Sequence, residues 1–187
     1  MSGAGTESGA GGKATRGKFI VLDGPEGCGK TTQAGRLGQW LEDQGKKVLV
    51  TREPGGTALG ERLRAALLEK KGPAVLPRAE LFLFLADRAQ HMEEMILPAL
   101  KEGQWVVSDR FSTSTLAYQA IAQDLGLEAV REMDAFARQR VAPDLTILLD
   151  VPAEVGLDRV SLFSHQKIEE RGVAFHRRVR EAFLLLA

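Results

Sequence analysis

The sequence predicts a three-layer α/β domain, with a central parallel sheet and helices on both faces. Short apolar runs alternate along the chain with longer segments of helical spacing, the pattern of successive strand–helix–strand units. Several apolar runs end in a charged residue and a turn signal, as buried parallel strands do before a crossover. The chain is 187 residues long, 44% hydrophobic and 27% charged, which fits one globular domain with a sizeable core.

Residues 1–17 are rich in Gly, Ser and Ala and lack the apolar stretch of a secretory signal, so they read as a disordered tail before a domain over 18–187. Phe19-Ile20-Val21-Leu22 reads as a buried strand closed by Asp23-Gly24. Lys30 to Gln44 has Ala34, Leu37, Trp40 and Leu41 at helical spacing, and Gly45 ends it. Val48-Leu49-Val50 is the second strand. Gly60 to Glu69 is helical, and Arg78 to Lys101 is a long helical pattern with a bend expected at Pro98. Trp105-Val106-Val107 is the third strand and Thr146-Ile147-Leu148-Leu149 the fourth. Helices are expected between them at Ser112–Asp124 and Glu128–Gln139, and again over Ile168–Leu186.

Composition removes several classes of function. The 25 basic and 25 acidic side chains cancel, which argues against a general nucleic-acid coat or a polybasic membrane surface. The longest purely apolar run, Leu81 to Ala86, is far below the ~20 residues a bilayer span requires. Cys28 is the only cysteine, so no intrachain disulfide forms and a cytoplasmic location is expected. With three scattered histidines and that lone cysteine, a zinc site is not expected.

The most specific motif is Gly24-Pro25-Glu26-Gly27-Cys28-Gly29-Lys30-Thr31, a full match to the phosphate-binding loop G-x-x-x-x-G-K-[ST]. A strand precedes it and a helix opens within it, the context the chemistry needs. Glycines let successive backbone N–H groups face one anion, and the helix N-terminus adds partial positive charge. Lys30 is expected to reach the β- and γ-phosphates of ATP, and the Thr31 hydroxyl to ligate Mg²⁺. Asp109, at the end of the third strand, resembles the acid of the second nucleotide-binding motif and is a further Mg²⁺ candidate. The fold type is therefore that of a P-loop NTPase. In open α/β sheets ligands collect at the carboxyl ends of the strands, where Asp23, Arg52, Asp109 and Asp150 also stand.

Two of these strand ends suggest a second anion. Arg52 follows the second strand and Arg110 the third, and two guanidiniums there would clamp a second phosphate. Glu26 sits inside the phosphate loop. A carboxylate beside a triphosphate is costly, so it is expected to face the second substrate and accept a sugar hydroxyl. Phe84 and Arg88, four apart on one helix face, form a pair suited to stacking on a base and reading its edge.

These residues together resemble the thymidylate kinase family. The resemblance rests on Gly24 to Thr32, Thr51-Arg52-Glu53-Pro54-Gly55-Gly56-Thr57, Phe84-Leu85-Ala86-Asp87-Arg88, Asp109-Arg110-Phe111, Ser114-Thr115, Ala117-Tyr118-Gln119 and Pro143-Asp144. It runs from Lys18 to Asp158 and resumes at Ile168. It implies transfer of the ATP γ-phosphate to dTMP, giving dTDP, in a homodimer packed through helices. By position, Gly24, Pro25, Glu26, Gly27, Cys28, Gly29, Lys30, Thr31 and Thr32 would bind ATP, with Mg²⁺ at Thr31 and Asp109. Arg52 and Arg110 would grip the dTMP phosphate and Glu26 the 3′-hydroxyl. Phe84 would stack on thymine and Arg88 would bond its O4. Ser114, Thr115 and Gln119 would line the base, and Tyr118 would crowd the sugar C2′. The catalytic set is Lys30, Arg52, Arg110 and Arg159.

The chain departs from the family in its lid. Family members with Gly at the position of Gly27 supply arginines from a lid after the fourth strand, yet Val160 to Gln166 contains none. A short lid around 159–170 is expected, with Arg159 carrying part of its role and Lys167-Ile168-Glu169 standing where the family has Asp-Arg-Ile-Glu. Adenine contacts are not assigned. Three other readings stay open at this level: a P-loop kinase with a different base choice, a nucleotide-binding protein that has lost its chemistry, and an NTPase switch.

Overall fold

The computed structural model describes residues 16–69, 72, 74–161 and 171–187. Residues 1–15 of the expected tail, and residues 162–170 of the expected lid and of the start of the last helix, lie outside them. Four strands, β1 (Phe19–Asp23), β2 (Val48–Arg52), β3 (Trp105–Asp109) and β4 (Leu145–Leu148), form one parallel sheet in the order β2-β3-β1-β4. The described helices are α1 (Lys30–Asp43), α2 (Ala58–Leu68), α3 (Pro77–His91), α4 (Leu97–Lys101), α5 (Ser112–Thr115), α6 (Leu127–Ala137), α7 (Ala153–Ser161) and α8 (Val173–Leu186).

The central strand β1 shows why this sheet has helices on both faces. Its side chains alternate, so Phe19 and Val21 pack with Met92, Ile96, Leu100 and Val106, while Ile20 and Leu22 pack with Ala34 and Leu41 of α1 and with Val107. A third apolar layer joins Tyr118 to Phe175, Val179 and Phe183 of α8. Just before the first strand the Gly17 N–H donates to the Leu100 carbonyl at 2.8 Å, and Arg16 pairs with Asp144 at 3.6 Å.

The two long helical patterns are interrupted. The segment expected as one helix to Lys101 is α3, a π-helical turn at Met92–Ile96, and then α4. Pro98 offers no N–H, and the wider turn just before it accommodates the break in the hydrogen-bond ladder. The segment after β3 begins as α5 and continues as a π-helix over Leu116–Ala122, which carries Tyr118 and Gln119. Helix α2 starts two residues earlier than its spacing predicts, because the Thr57 hydroxyl caps it by accepting from the Gly60 N–H at 2.9 Å. No helix is expected above over 153–161, where α7 lies, although Ala153, Leu157 and Val160 stand at helical spacing. Gly156 lowers its helix propensity, and packing explains that glycine below.

Candidate active site

The carboxyl ends of β1, β2 and β3 open onto a cavity of about 560 Å³. The phosphate loop forms one wall. Gly24, Gly27 and Gly29 all have positive φ (145°, 66° and 95°), the backbone conformations that curl the loop and that side chains resist. Lys30 is buried beneath it. Its Nζ donates to the carbonyls of Gly24 and Pro25 at 3.1 and 2.8 Å, with Cys28 Sγ at 3.5 Å. The ammonium thus spans the loop from the helix side, facing the space an anion would fill.

Thr31 and Asp109 meet at the base of the cavity. The Thr31 hydroxyl donates to Asp109 Oδ2 at 2.5 Å, while Asp109 Oδ1 is buried without a hydrogen-bond partner. A buried orphan carboxylate oxygen is expensive, and two hard oxygen donors side by side suit a small hard cation. Among the described residues no three His, Cys, Asp or Glu side chains gather to hold a metal unaided. Mg²⁺ takes one or two protein ligands and completes its shell with water and substrate phosphate. The donor set fits Mg²⁺.

Cationic side chains line the same cavity beside the loop. Arg110 has φ 74°, a left-handed conformation costly for a non-glycine residue, and it turns the side chain back over the loop. Its Nη2 donates to Glu26 Oε1 at 2.6 Å, and its Nη1 reaches Ser114 Oγ at 3.1 Å and the Gly24 carbonyl at 3.4 Å. The Tyr118 hydroxyl also donates to Glu26 Oε1, at 3.1 Å. Burial disfavours the charged carboxylate of Glu26, but Arg110 and then Lys30 outweigh it and hold the group down at about 2. Burial, then Glu26, push the Tyr118 phenol well above its ordinary range. Asp23 underlies these side chains: Ser114 Oγ donates to its Oδ1 at 2.5 Å and the Ser114 N–H to its Oδ2 at 3.1 Å.

Arg52 lines the cavity at half exposure and donates to both oxygens of Glu61 at 3.2 Å. Arg64, which the motifs do not signal, lines it too, and its Nη1 donates to the Pro54 carbonyl at 2.8 Å. Partial burial, with Arg52 and Arg110 nearby, lowers the Arg64 guanidinium pKa. Three guanidiniums that repel one another around one cavity make a site that is stabilised by an anion. The available signal for Arg64 is helical: it lies four residues after Gly60, whose face of α2 packs on the Gly55 backbone.

Phe84 and Gln119 line the cavity as well, and Arg159 and Val160 close its rim. Arg159 Nη1 donates to the Gly27 carbonyl at 3.2 Å. Arg88 and Thr115 stand one layer behind. The Arg88 side chain is 2% exposed; its Nε and Nη2 donate to Glu53 Oε2 at 2.9 and 2.7 Å, and its Nη1 to Asp134 Oδ1 at 2.6 Å and Thr115 Oγ1 at 2.9 Å. These bonds leave one Nη2 hydrogen. Glu53 Oε1 also meets His91 Nδ1 at 3.1 Å, and the other ring nitrogen of His91 meets Thr51 Oγ1 at 2.7 Å. Because a carboxylate only accepts, Nδ1 of His91 carries the proton of that bond.

A parallel sheet ordered β2-β3-β1-β4, with a glycine-rich loop leading from β1 into α1, defines a P-loop nucleotide-binding fold. Within it, the thymidylate kinase family model matches residues 22–187, and the chain belongs to that family. It is 49% identical over 173 residues to the thymidylate kinase of Carboxydothermus hydrogenoformans, covering 92% of this chain and 85% of that protein. It is 47% identical over 177 residues to the thymidylate kinase of Prochlorococcus marinus (strain MIT 9313), covering 91% and 82%. The crystal structure of the thymidylate kinase of Ehrlichia chaffeensis superposes with a TM-score of 0.76 at 32% identity, over 92% of this chain and 87% of that one. No described helix is long and apolar enough to cross a membrane.

Proposed function

We propose that this chain phosphorylates dTMP to dTDP with ATP as donor and Mg²⁺ as cofactor, supplying dTTP for DNA synthesis. The observation that carries the reading is that one cavity is lined both by the phosphate loop and by Arg52, Arg64 and Arg110, enough cationic groups for a second anion beside the first. A hydrolytic switch has no need of the second. Family membership supports the choice of dTMP as acceptor.

In this reading the residues Gly24 to Thr32 cradle the ATP phosphates, and Thr31 and Asp109 hold Mg²⁺. When bound, the cation neutralises charge on the phosphate oxygens. Arg52, Arg64 and Arg110 grip the dTMP phosphate and aim one of its oxygens at the γ-phosphorus. That oxygen attacks in line, the bond from the γ-phosphorus to the bridging oxygen breaks, and ADP leaves. Lys30 and Arg110 face the charge that develops, and Arg159 adds to it from α7. Glu26, held ionised by Arg110, accepts the 3′-hydroxyl. Tyr118, tied to Glu26, fills the space a 2′-hydroxyl would need. Phe84 stacks on the base and Ser114 and Gln119 line it; Arg88, held from behind by Thr115, offers its remaining Nη2 hydrogen to O4.

The chain acts as a cytoplasmic homodimer in this account. Phe82 of α3 and Phe136 of α6, 59% and 84% exposed, support pairing through those helices. Chromatography of a reaction containing ATP, Mg²⁺ and dTMP tests the function: dTDP is the expected product, and inorganic phosphate with dTMP unchanged refutes it.

A further inference from the structure

We infer that Glu80 is a positioning residue for base selection, fixing the side-chain amide of Gln119 so that its carbonyl end faces the cavity. The inference rests on the dTMP kinase reading and concerns how that site tells one pyrimidine from another.

Glu80 sits in the first turn of α3, 6% exposed. Its Oε1 accepts from Gln119 Nε2 at 2.8 Å and from Gln123 Nε2 at 2.6 Å, and its Oε2 accepts from Arg171 Nη2. Arg171 supplies the counter-charge a buried carboxylate needs, and it lies over the ring of Phe175. A carboxylate can only accept, so the amide nitrogen of Gln119 must be the end that meets it. Reversal would set two acceptors against each other in a buried place. Gln123 shows the strength of this preference. Its Nε2 also faces Glu80, although its own Oε1 is then buried with no partner.

Gln119 is 2% exposed, yet it lines the cavity beside Phe84. With its nitrogen committed to Glu80, the atom it offers a ligand is the acceptor Oε1. An acceptor there suits a base with a ring N–H donor, as thymine and uracil have at N3. Cytosine has a bare acceptor at that ring position, so it would leave two acceptors facing each other. Glu80 never touches the base and selects it through Gln119.

The test compares kcat/KM for dTMP and dCMP in the full chain and in Glu80→Gln. The new amide has nearly the same shape but offers both donor and acceptor, so Gln119 becomes free to reverse. The preference for dTMP over dCMP is expected to fall roughly tenfold or more, mainly through KM, with the KM for ATP unchanged. Glu80→Asp keeps an acceptor-only group and is expected to retain most of the preference. A folded Glu80→Gln enzyme that turns over dTMP with the wild-type preference overturns the assignment. A wild-type chain that does not use dTMP overturns the functional reading, and the assignment with it. Should Glu80→Gln fail to fold, NMR of the wild type decides. The Gln119 side-chain N–H protons are expected to show no through-space contact to bound dTMP, and such a contact to the base overturns the assignment.

Discussion

Gly27 of the phosphate loop and Gly156 of α7 touch through their backbones. A Cβ on Gly27 would stand 2.1 Å from the Gly156 carbonyl oxygen, and one on Gly156 would stand 2.1 Å from the Glu26 carbonyl oxygen. This contact explains a glycine inside a helix, and it explains why the loop carries no side chain at position 27. A methyl at Gly156 must push loop and helix apart, at a cost of roughly 1–3 kcal/mol. Gly156→Ala is expected to lower Tm and weaken ATP binding together, measured by thermal melting and calorimetry.

In the proposed mechanism Arg159 supplies the arginine that the phosphate loop does not carry. It sits about one turn beyond Gly156 on α7 and reaches the Gly27 carbonyl at 3.2 Å. Loss of one donor aimed at developing charge costs roughly 10²–10³-fold in kcat. Arg159→Ala is expected to fall in that range with little change in the KM for dTMP, and Arg159→Lys to recover part of it. Steady-state kinetics checks both, and an unchanged kcat in Arg159→Ala removes this residue from the transfer step.

Glu26 contributes stability that acid removes. Its folded pKa of about 2 lies below the ordinary 4.5, with burial opposing the shift and Arg110 and Lys30 driving it. A depressed carboxylate stabilises the fold fully above the ordinary value and loses that contribution as pH falls from about 4.5 toward 2. The stability gap between wild type and Glu26→Gln is therefore expected to close across that window. Denaturant titrations at stepped pH measure it. Glu26→Gln is also expected to raise the KM for dTMP, through Arg110.

Asp87 has the opposite sign. Burial, and then the neighbouring Glu53 carboxylate, push it up from 3.8 to about 7; its Oδ1 accepts from the Gly55 N–H at 2.9 Å and its Oδ2 has no partner. His91 and Arg88 also face it and pull the other way. A raised pKa stabilises the fold below the unfolded value and loses that contribution as pH rises through the folded one. Asp87→Asn keeps the bond to Gly55 and cannot ionise. It is expected to flatten the decline in stability between pH 4 and 8, as read by Tm across buffers. A wild-type profile with no decline in that range contradicts the assignment.

Much of this was legible in the sequence because it was local. A purely apolar run followed by Asp-Gly and a glycine-rich loop determines strand, turn and helix within about twenty residues, so β1, the loop and α1 read directly. What escaped depends on distant partners. The α7 helix packs through Gly156 on the phosphate loop; Ala153, Leu157 and Val160 signal it by their spacing, but the glycine in its middle weakens that signal and only the packed loop explains the glycine. The π-helical turns arise where Pro98 interrupts one ladder and where the chain presents Tyr118 and Gln119 to the cavity. Arg64 belongs to no motif, and the packing of α2 against Pro54 is what sets it at the cavity. Glu80 and Arg171 carry no motif, and only the fold brings Glu80 to Gln119 and Arg171 to Glu80.

The central claim is that the second anion site receives a nucleoside monophosphate and that the transferred phosphate goes there rather than to water. The most direct measurement is the rate of ADP formation from ATP and Mg²⁺ by the 187-residue chain, with and without dTMP, and with dUMP, UMP, CMP and GMP in parallel. The account predicts negligible ADP without a monophosphate, and strong formation with dTMP that exceeds formation with each of the others. ADP formed at the same rate with and without dTMP would contradict it.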